Sequence, residues 1–393
     1  MGDLAGARLA RAFEGLGTEH DYVEILIGGQ RFAAITYAIS MAFFSRQPSS
    51  FTANIRVGDP LRLAYDKIKP GMQFEVRIDD VLQMSGKLDA VNGSVSQNGS
   101  ILNVTGRDIL AKLHDATADK DYGFAEGTYL EVVQKVLKIV GIDAPLIFSN
   151  DANRAAVSKK KQKVLKSVTT TGKGKTGFDS SAMHIKSGES WYQWLTQILN
   201  HAGIILRATA RGEISLTAPN PDQKPTYSFV VAPAQDRGKK FVTDASRKND
   251  TTQRASKVIV RCKGGGKQSG SKDVEGVAID EEMVAYGIER VRTVKDFKGN
   301  SVDAAERFAK RKIAEMRRNG FFFNYALVGH TWQSDDGHDS AILTPDTIAN
   351  VDDREHGYSG ALWIESVDMA RGPATTTQIT CMRPDDVRFF GET

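Results

Sequence analysis

The sequence predicts an α+β, mainly β fold: two similar β-units, each with the short strands and regular turns of a barrel or a sandwich, and a helix-containing stretch between them. Three observations predict it. A strand–acidic turn–strand–turn–strand motif occurs near both ends of the chain. The residues between the copies switch to helical spacing. Hydrophobic content of 40% with 25% charge is ordinary for a globular chain with a sizeable core. The first copy runs from Val76-Arg77-Ile78-Asp79-Asp80 through Gly86 to Arg107-Asp108. The second runs from Ala349-Asn350-Val351-Asp352-Asp353 through Gly360 to Arg383-Pro384-Asp385. Asp80 to Gly86 is six residues and Asp353 to Gly360 seven; Gly86 to Arg107 is 21 and Gly360 to Arg383 is 23. Laid over one another, the copies place Ile78 with Val351 and Gly86 with Gly360. Two such units per chain offer two equivalent surfaces, and a trimer would offer six.

Residues 20–106 read as β. Phe74, Val76 and Ile78 alternate with Glu75, Arg77 and Asp79, the period-two pattern of a half-buried strand. Asp79-Asp80 and Asn98-Gly99 supply turns. The period then changes. Thr128-Tyr129-Leu130-Glu131 is a capping box. Tyr129, Val132, Val133, Val136, Leu137 and Val140 follow at helical spacing, and Gly141 stops the helix. Residues 153–177 carry eight lysines or arginines and no acidic residue, which predicts an exposed loop or loose hairpin. A second helix is expected over Glu189 to Ala202, with Ser187 as N-cap and an apolar face of Trp191, Trp194, Leu195, Ile198, Leu199 and Ala202. Gly203 ends it, and a hairpin turning at Arg211-Gly212 follows. Strands at Tyr227 to Val231 and Lys257 to Cys262 flank further loops. Ser301 caps a third helix over 301–319, with Ala305, Phe308, Ala309, Ile313 and Met316 on its buried stripe. From Phe321 the chain is β again.

Bulk properties narrow the class. The chain has 393 residues, which suggests two to four domains, and a net charge of +4, too small to argue for nucleic acid alone. No apolar run is long enough to span a bilayer. Met1 to Glu14 has no apolar h-region, which argues against a signal peptide. Cys262 and Cys381 lie in strand-like segments and read as free buried thiols, in keeping with folding in cytoplasm.

The catalytic patterns in the chain are incomplete. Gly172 to Gly177 has the glycines and lysines of a phosphate loop, but Phe178-Asp179 stands where Lys and Ser/Thr are needed. His330, Asp335, Asp336, His338, Asp339, Asp352, Asp353 and His356 include metal-ligand types. No two histidines are spaced to share a helix face, and Asp335-Asp336-Gly337 is a common turn. Glu189 and Glu365 are carboxylates of the kind a lysozyme-like site uses, with nothing to set a second carboxylate at the needed distance. No catalytic, cofactor or metal residues are therefore assigned, and the chain is not expected to be an enzyme.

Gly188-Glu189-Ser190-Trp191-Tyr192-Gln193-Trp194-Leu195, continuing through Ala202-Gly203, Arg211-Gly212 and Ala218-Pro219, resembles the baseplate hub protein of contractile-tailed phages, of the phage Mu type. The same family takes in the late-control tail proteins and the N-terminal part of type VI secretion spikes. Val104-Thr105-Gly106-Arg107-Asp108-Ile109-Leu110 and the closing stretch with Leu343-Thr344-Pro345-Asp346 are also similar, so the resemblance covers roughly residues 20–390. It implies two tube-type barrels per chain, a homotrimeric ring of pseudo-sixfold symmetry, and a virion location in the phage tail baseplate after assembly in host cytoplasm. The partners implied are a central spike protein, a tail tube protein or tube initiator, and other baseplate proteins. The sequence stops at Thr393 without a needle or lysozyme domain, which implies that the spike is a separate protein. The basic segment is not part of the family pattern; the uses it suggests are contact with another baseplate protein or with passing DNA.

The expected organisation is an N-terminal arm (1–19), a first barrel (20–110), a small α/β domain (111–220) with the basic insertion 153–177, and a second barrel (221–393) with helix 301–319. Two alternatives stay open at the level of sequence: a tail-associated peptidoglycan hydrolase, and a nucleic-acid-binding module using the basic loop.

Overall fold

The computed structural model describes residues 21–44, 47–56, 61–96, 99–124, 129–147, 184–201, 203–231, 242–262, 274–295, 302–333 and 340–388. Among them the fold is mainly β, with two barrels and a small α/β unit between them in sequence. The arm 1–19, the basic segment 153–177, the glycine run 172–177, and Thr128 and Ser301 lie outside the described residues.

The first barrel is built from β1 (Val23–Ile27), β2 (Gln30–Ala42), β3 (Ser50–Arg56), β4 (Gln73–Ile78), β5 (Val81–Ser96) and β6 (Gly99–Asp108). All its ladders are antiparallel, and they run β1-β4-β5-β6-β3-β2 and back to β1, which closes the ring. Inward residues alternate as the period-two pattern requires: Phe74, Val76 and Ile78 are buried, as are Phe51, Ala53 and Ile55. Gly106 must be glycine, because a Cβ there would stand 2.6 Å from Phe74 and 2.7 Å from Phe51.

The small unit holds α2 (Ala111–Asp115), β7 (Tyr122–Gly123), α3 (Tyr129–Val140), β8 (Leu146–Ile147), β9 (His184–Ile185), α4 (Trp191–His201), β10 (Ile205–Ala208) and β11 (Ile214–Thr217), following α1 (Leu61–Lys67) of the first barrel. Its helices bury Tyr129, Val133, Val136, Trp191, Leu195 and Leu199 in a core of their own. Both long helices stop alike. Gly141 and Gly203 take φ of 72° and 71°, and the next amide reaches back to Leu137 and Leu199 respectively, the Schellman pattern. The cap of α4 differs from expectation. Ser190, whose Oγ accepts from Gln193 N at 3.4 Å, occupies the cap. Ser187 sits in the preceding turn, where its amide donates to Asp121.

The second barrel comprises β12 (Tyr227–Val231), β13 (Val242–Asn249), β17 (Phe321–Val328), β20 (Ile348–Asp353), β21 (Tyr358–Arg371) and β22 (Thr375–Met382), ordered β12-β20-β21-β22-β17-β13. Taken in chain order, this is the ring order of the first barrel. The match extends to the bulges. One interrupts β2 at Ala34/Thr36 opposite Ile55/Asn54, and another β13 at Val242/Asp244 opposite Leu327/Ala326. One interrupts β5 at Leu88/Ala90 opposite Gly106/Thr105, and another β21 at Ile364/Ser366 opposite Cys381/Thr380. Phe51 and Phe323 stand at the same distance from both bulges in their barrels.

This register corrects the residue correspondence expected from sequence. Val351 stands where Val76 stands, not Ile78, and Gly360 where Met84 stands, not Gly86. The acidic pairs differ too. Asp79-Asp80 form the two-residue turn itself, with φ of 46° and 63°, whereas Asp352-Asp353 end β20 before a longer turn. A slip of two keeps the same faces inward, so alternation alone cannot detect it.

Between β13 and β17 lies a two-layer unit: β14 (Lys257–Cys262), β15 (Val274–Ile279), α5 (Glu281–Ala285), β16 (Val291–Val294) and α6 (Val302–Gly320). It has its own core of Val258, Val260, Ala278, Ala305, Ala309 and Ile313. A Cβ at Gly276 would lie 2.3 Å from the backbone of Ala305, so α6 rests directly on β15. The hairpin β18 (Thr331–Gln333) with β19 (Ser340–Ile342), and the terminal turn α7 (Asp385–Arg388), complete the chain. No described helix is long and apolar enough to cross a membrane.

Candidate functional site: the joint between the barrels

The two barrels are joined by main-chain pairing. β2 has thirteen residues and serves both barrels. Its first part pairs with β1, while Tyr37–Ala42 pairs antiparallel with Arg371–Ser366 of β21. One sheet therefore runs β5-β6-β3-β2-β21-β22-β17-β13 through both barrels, and one hydrophobic cluster lies behind it. The outward side chains of this sheet are mostly small and polar. Asn103 Nδ2 donates to Asn54 Oδ1 at 3.0 Å, and Asn54 Nδ2 donates to Thr36 Oγ1 at 2.8 Å. On the second barrel Thr380 Oγ1 donates to Asn324 Oδ1 at 3.0 Å.

Behind the joint a buried polar chain ties the barrels together. Thr377 Oγ1 donates its single proton to Gly329 O at 2.6 Å, so it accepts from His330 Nδ1 at 2.8 Å. His330 Nε2 then accepts from Tyr37 O–H at 2.7 Å. This fixes a neutral imidazole, and burial pushes His330 down to about 4. His330 is thus a satisfied core histidine.

A second lock fastens the two-layer unit to the second barrel. Arg254, fully buried, donates to Asp280 at 2.9 Å and Glu282 at 2.7 Å. Arg317 donates to Asp280 at 2.7 Å, and Arg383 to Glu282 at 3.0 Å and Asp386 at 2.7 Å. Burial raises the Glu282 carboxyl, but the bonds and charges of Arg383 and Arg254 outweigh it and hold the group near 2. Sequence reading missed this cluster, since its members are spread from 254 to 386 and no local spacing links them.

A cavity of about 1000 Å³ opens between the β4–β5 turn, the β10–β11 hairpin and the β18–β19 hairpin. Asp108 lines it. Its carboxylate accepts from Ser49 N and Leu110 N, and burial still raises it to about 6. Of the cavity's remaining carboxylates, Asp79 accepts from Tyr22 N and Glu213 from Thr209 Oγ1, while Asp80 is exposed and lies 3.7 Å from Arg31.

The carboxylates considered from sequence are not brought together. Glu189 is exposed and accepts from Lys186 N at 2.9 Å. Glu365 is half-buried at the β21 bulge, accepts from Phe44 N at 3.3 Å, and is raised by burial. Asp353 is buried and bonded to Tyr325 and His356; Asp352 pairs with Arg354. Asp335, Asp336, His338 and Asp339 lie outside the described residues. Among those described, no three His, Cys, Asp or Glu side chains converge as metal ligands. Cys381 is a free buried thiol pushed far up by burial, and the Cys262 side chain is outside the description.

No family model and no curated protein matches this chain. Solved structures do. The 43 kDa tail protein of prophage MuSo2 from Shewanella oneidensis matches at TM-score 0.68 and 17% identity, over 93% of this chain and 100% of its own. A tail protein from Neisseria meningitidis MC58 matches at TM-score 0.70 and 20% identity, over 94% and 99%. The chain shares their fold. A prophage tail protein from Listeria monocytogenes EGD-e is more distant, at TM-score 0.54 and 10% identity over 91% and 94%. These are proteins of the kind the sequence resemblance implied, and they cover both barrels and the units between them.

Proposed function

We propose that this chain is a non-enzymatic structural hub of a contractile phage tail baseplate, a homotrimeric adaptor between a sixfold tail tube and a threefold central spike. The observation that carries the reading is the repeated barrel: the same ring order and the same two bulge positions occur twice in one chain. Three copies would set six near-equivalent barrels around an axis. A sixfold tube could then meet them all alike, while the small α/β and two-layer units, one of each per chain, would keep the threefold count for the spike. Head-to-tail contacts that close after three copies build such a ring. The division into a first barrel (20–110), a small domain (111–220) and a second barrel (221–393) follows from the same reading, with the two-layer unit carried as an insertion in the second barrel.

Mass photometry or light scattering of the chain with its spike and tube partners is expected to count three copies. A stable monomer or a dimer in that complex would sink the proposal. So would wall-hydrolysing activity of the purified protein that disappears in Glu189→Ala.

A further inference from the structure

The cavity of about 1000 Å³ holds a buried charge that the chain does not pair. Asp108 ends β6 and is only 5% exposed, yet it lines this space. Its Oδ2 accepts from Ser49 N at 2.8 Å and its Oδ1 from Leu110 N at 2.9 Å. A carboxylate can accept about four such bonds, so even with the Ser49 hydroxyl beside it some capacity is unused. Among the described residues no cationic side chain forms an ion pair with it. Arg207 acts on it only as a charge at a distance, and its guanidinium lies over the Phe43 ring at 4.7 Å. Thr331 lines the same cavity, and its Oγ1 is buried without a hydrogen-bond partner. Buried polar groups are normally satisfied, and a buried charge is normally paired.

We infer that this cavity binds a primary alkylammonium, with the ammonium on Asp108 and the alkyl chain along Met41 and Met84, and that the group is a lysine side chain on an extended segment of a partner protein. The site lies within one chain and does not depend on the trimeric reading.

The chemistry of the wall selects this ligand. Four carboxylates, Asp79, Asp80, Asp108 and Glu213, face two guanidiniums, Arg207 and Arg211, so the wall carries an excess of negative charge. Methionine is unbranched and polarizable and adapts to an alkyl chain laid against it. A guanidinium binds a carboxylate best as a fork on both oxygens, but each Asp108 oxygen already holds an amide. A compact ammonium with rotatable donors suits the lone pairs that remain. Sites for small ligands run to about 1,000 Å³, so there is room for main chain as well as for one lysine.

The test uses the full chain with carbon-13-labelled methionine methyl groups, titrated with the peptide acetyl-Ala-Lys-Ala-amide. The Met41 and Met84 signals should shift together and saturate, while Met316, in the core of the two-layer unit, should not move. The same peptide with norleucine for lysine keeps the alkyl chain without the charge and should leave the spectrum unchanged. Asp108→Asn should weaken binding of the lysine peptide about tenfold or more, the worth of a charged hydrogen bond. The inference is overturned if Met41 and Met84 do not respond, if the norleucine peptide binds equally well, or if Asp108→Asn folds and binds as the wild type does. Should Asp108→Asn misfold, the norleucine comparison on the wild type decides. The free diamine cadaverine separates the sources of the amine. Weaker binding than the peptide's supports a protein carrier; binding as tight overturns that carrier and leaves the ammonium site standing.

Discussion

The two barrels share a ring order and differ in how they are closed. In the first, β1 pairs antiparallel with both β2 and β4, so the ring is complete in hydrogen bonds. In the second, β12 runs parallel to β20 and, among the described residues, forms no ladder with β13. The second barrel is therefore held shut by side chains and by its neighbours. Trp363 is buried against Phe43 of the first barrel's β2 end, with ring centroids 5.2 Å apart, and its indole N–H donates to Asp346 at 2.9 Å. The position corresponding to Trp363 in the first barrel is Lys87, which is exposed. Duplicated topology does not bring duplicated energetics: one copy stands on its backbone, the other on its contacts.

The sharpest way to break the comparison is at that pair of positions. Trp363→Ala should lower unfolding free energy by about 3–5 kcal/mol, the cost of an emptied aromatic site. Lys87→Ala should cost less than about 0.5 kcal/mol, as ordinary surface changes do. Equal effects in urea denaturation would show that the second barrel does not depend on its neighbours.

The residue two places past the second bulge's partner differs as well: Asp108 in the first barrel, Arg383 in the second. Asp108 has a folded pKa near 6, above its ordinary 3.8. Its contribution is thus fully present below pH ~4 and lost as pH rises through ~6. Across that window Asp108→Asn should gain up to about 3 kcal/mol relative to wild type. His330 works in the opposite sense. Its folded pKa near 4 lies below the ordinary 6.5, so its contribution is present above 6.5 and lost as pH falls through 4. A difference between Asp108→Asn and wild type that stays flat from pH 4 to 6.5 would refute the assignment to Asp108. A smaller effect is expected beneath the joint. Tyr37→Phe leaves His330 Nε2 buried without a donor and should cost about 1–3 kcal/mol by thermal or chemical unfolding. Ala245→Ser, at the corresponding place on β13, should cost less than about 0.5 kcal/mol.

Much of this was legible in the sequence, and for physical reasons. Helices α3, α4 and α6 announce themselves by apolar spacing and by glycine stops at Gly141 and Gly203. The barrel repeat is visible because inward residues such as Phe74, Val76 and Ile78 alternate, and the second unit repeats the pattern at Ala349 and Val351. Register was not legible, because shifting by two preserves the alternation that reveals the strand. The pairing of β2 with β21 was not legible either: Gln30–Ala42 reads as one long strand, and its length alone does not say which neighbour takes each half. The parallel direction of β12 leaves no local mark. The Arg254–Asp280–Glu282–Arg383 cluster is assembled by tertiary contact across more than a hundred residues of chain.

The smallest expected effect concerns the outward face of the shared sheet. Asn54 in β3 corresponds to Ala326 in β17, so one barrel carries an amide ladder where the other carries a methyl group. Asn54→Ala removes two hydrogen bonds, to Asn103 and to Thr36. Each is worth about 0.5–1.5 kcal/mol net when water cannot replace it. Here the side chains are only half-buried, so water can take up the vacated groups, and alanine reproduces what the second barrel already tolerates. The cost should therefore stay below about 1 kcal/mol, read as a small shift in urea midpoint with an unchanged slope. A loss of 2 kcal/mol or more would mean that the ladder holds the sheet together and that the two outward faces are not interchangeable.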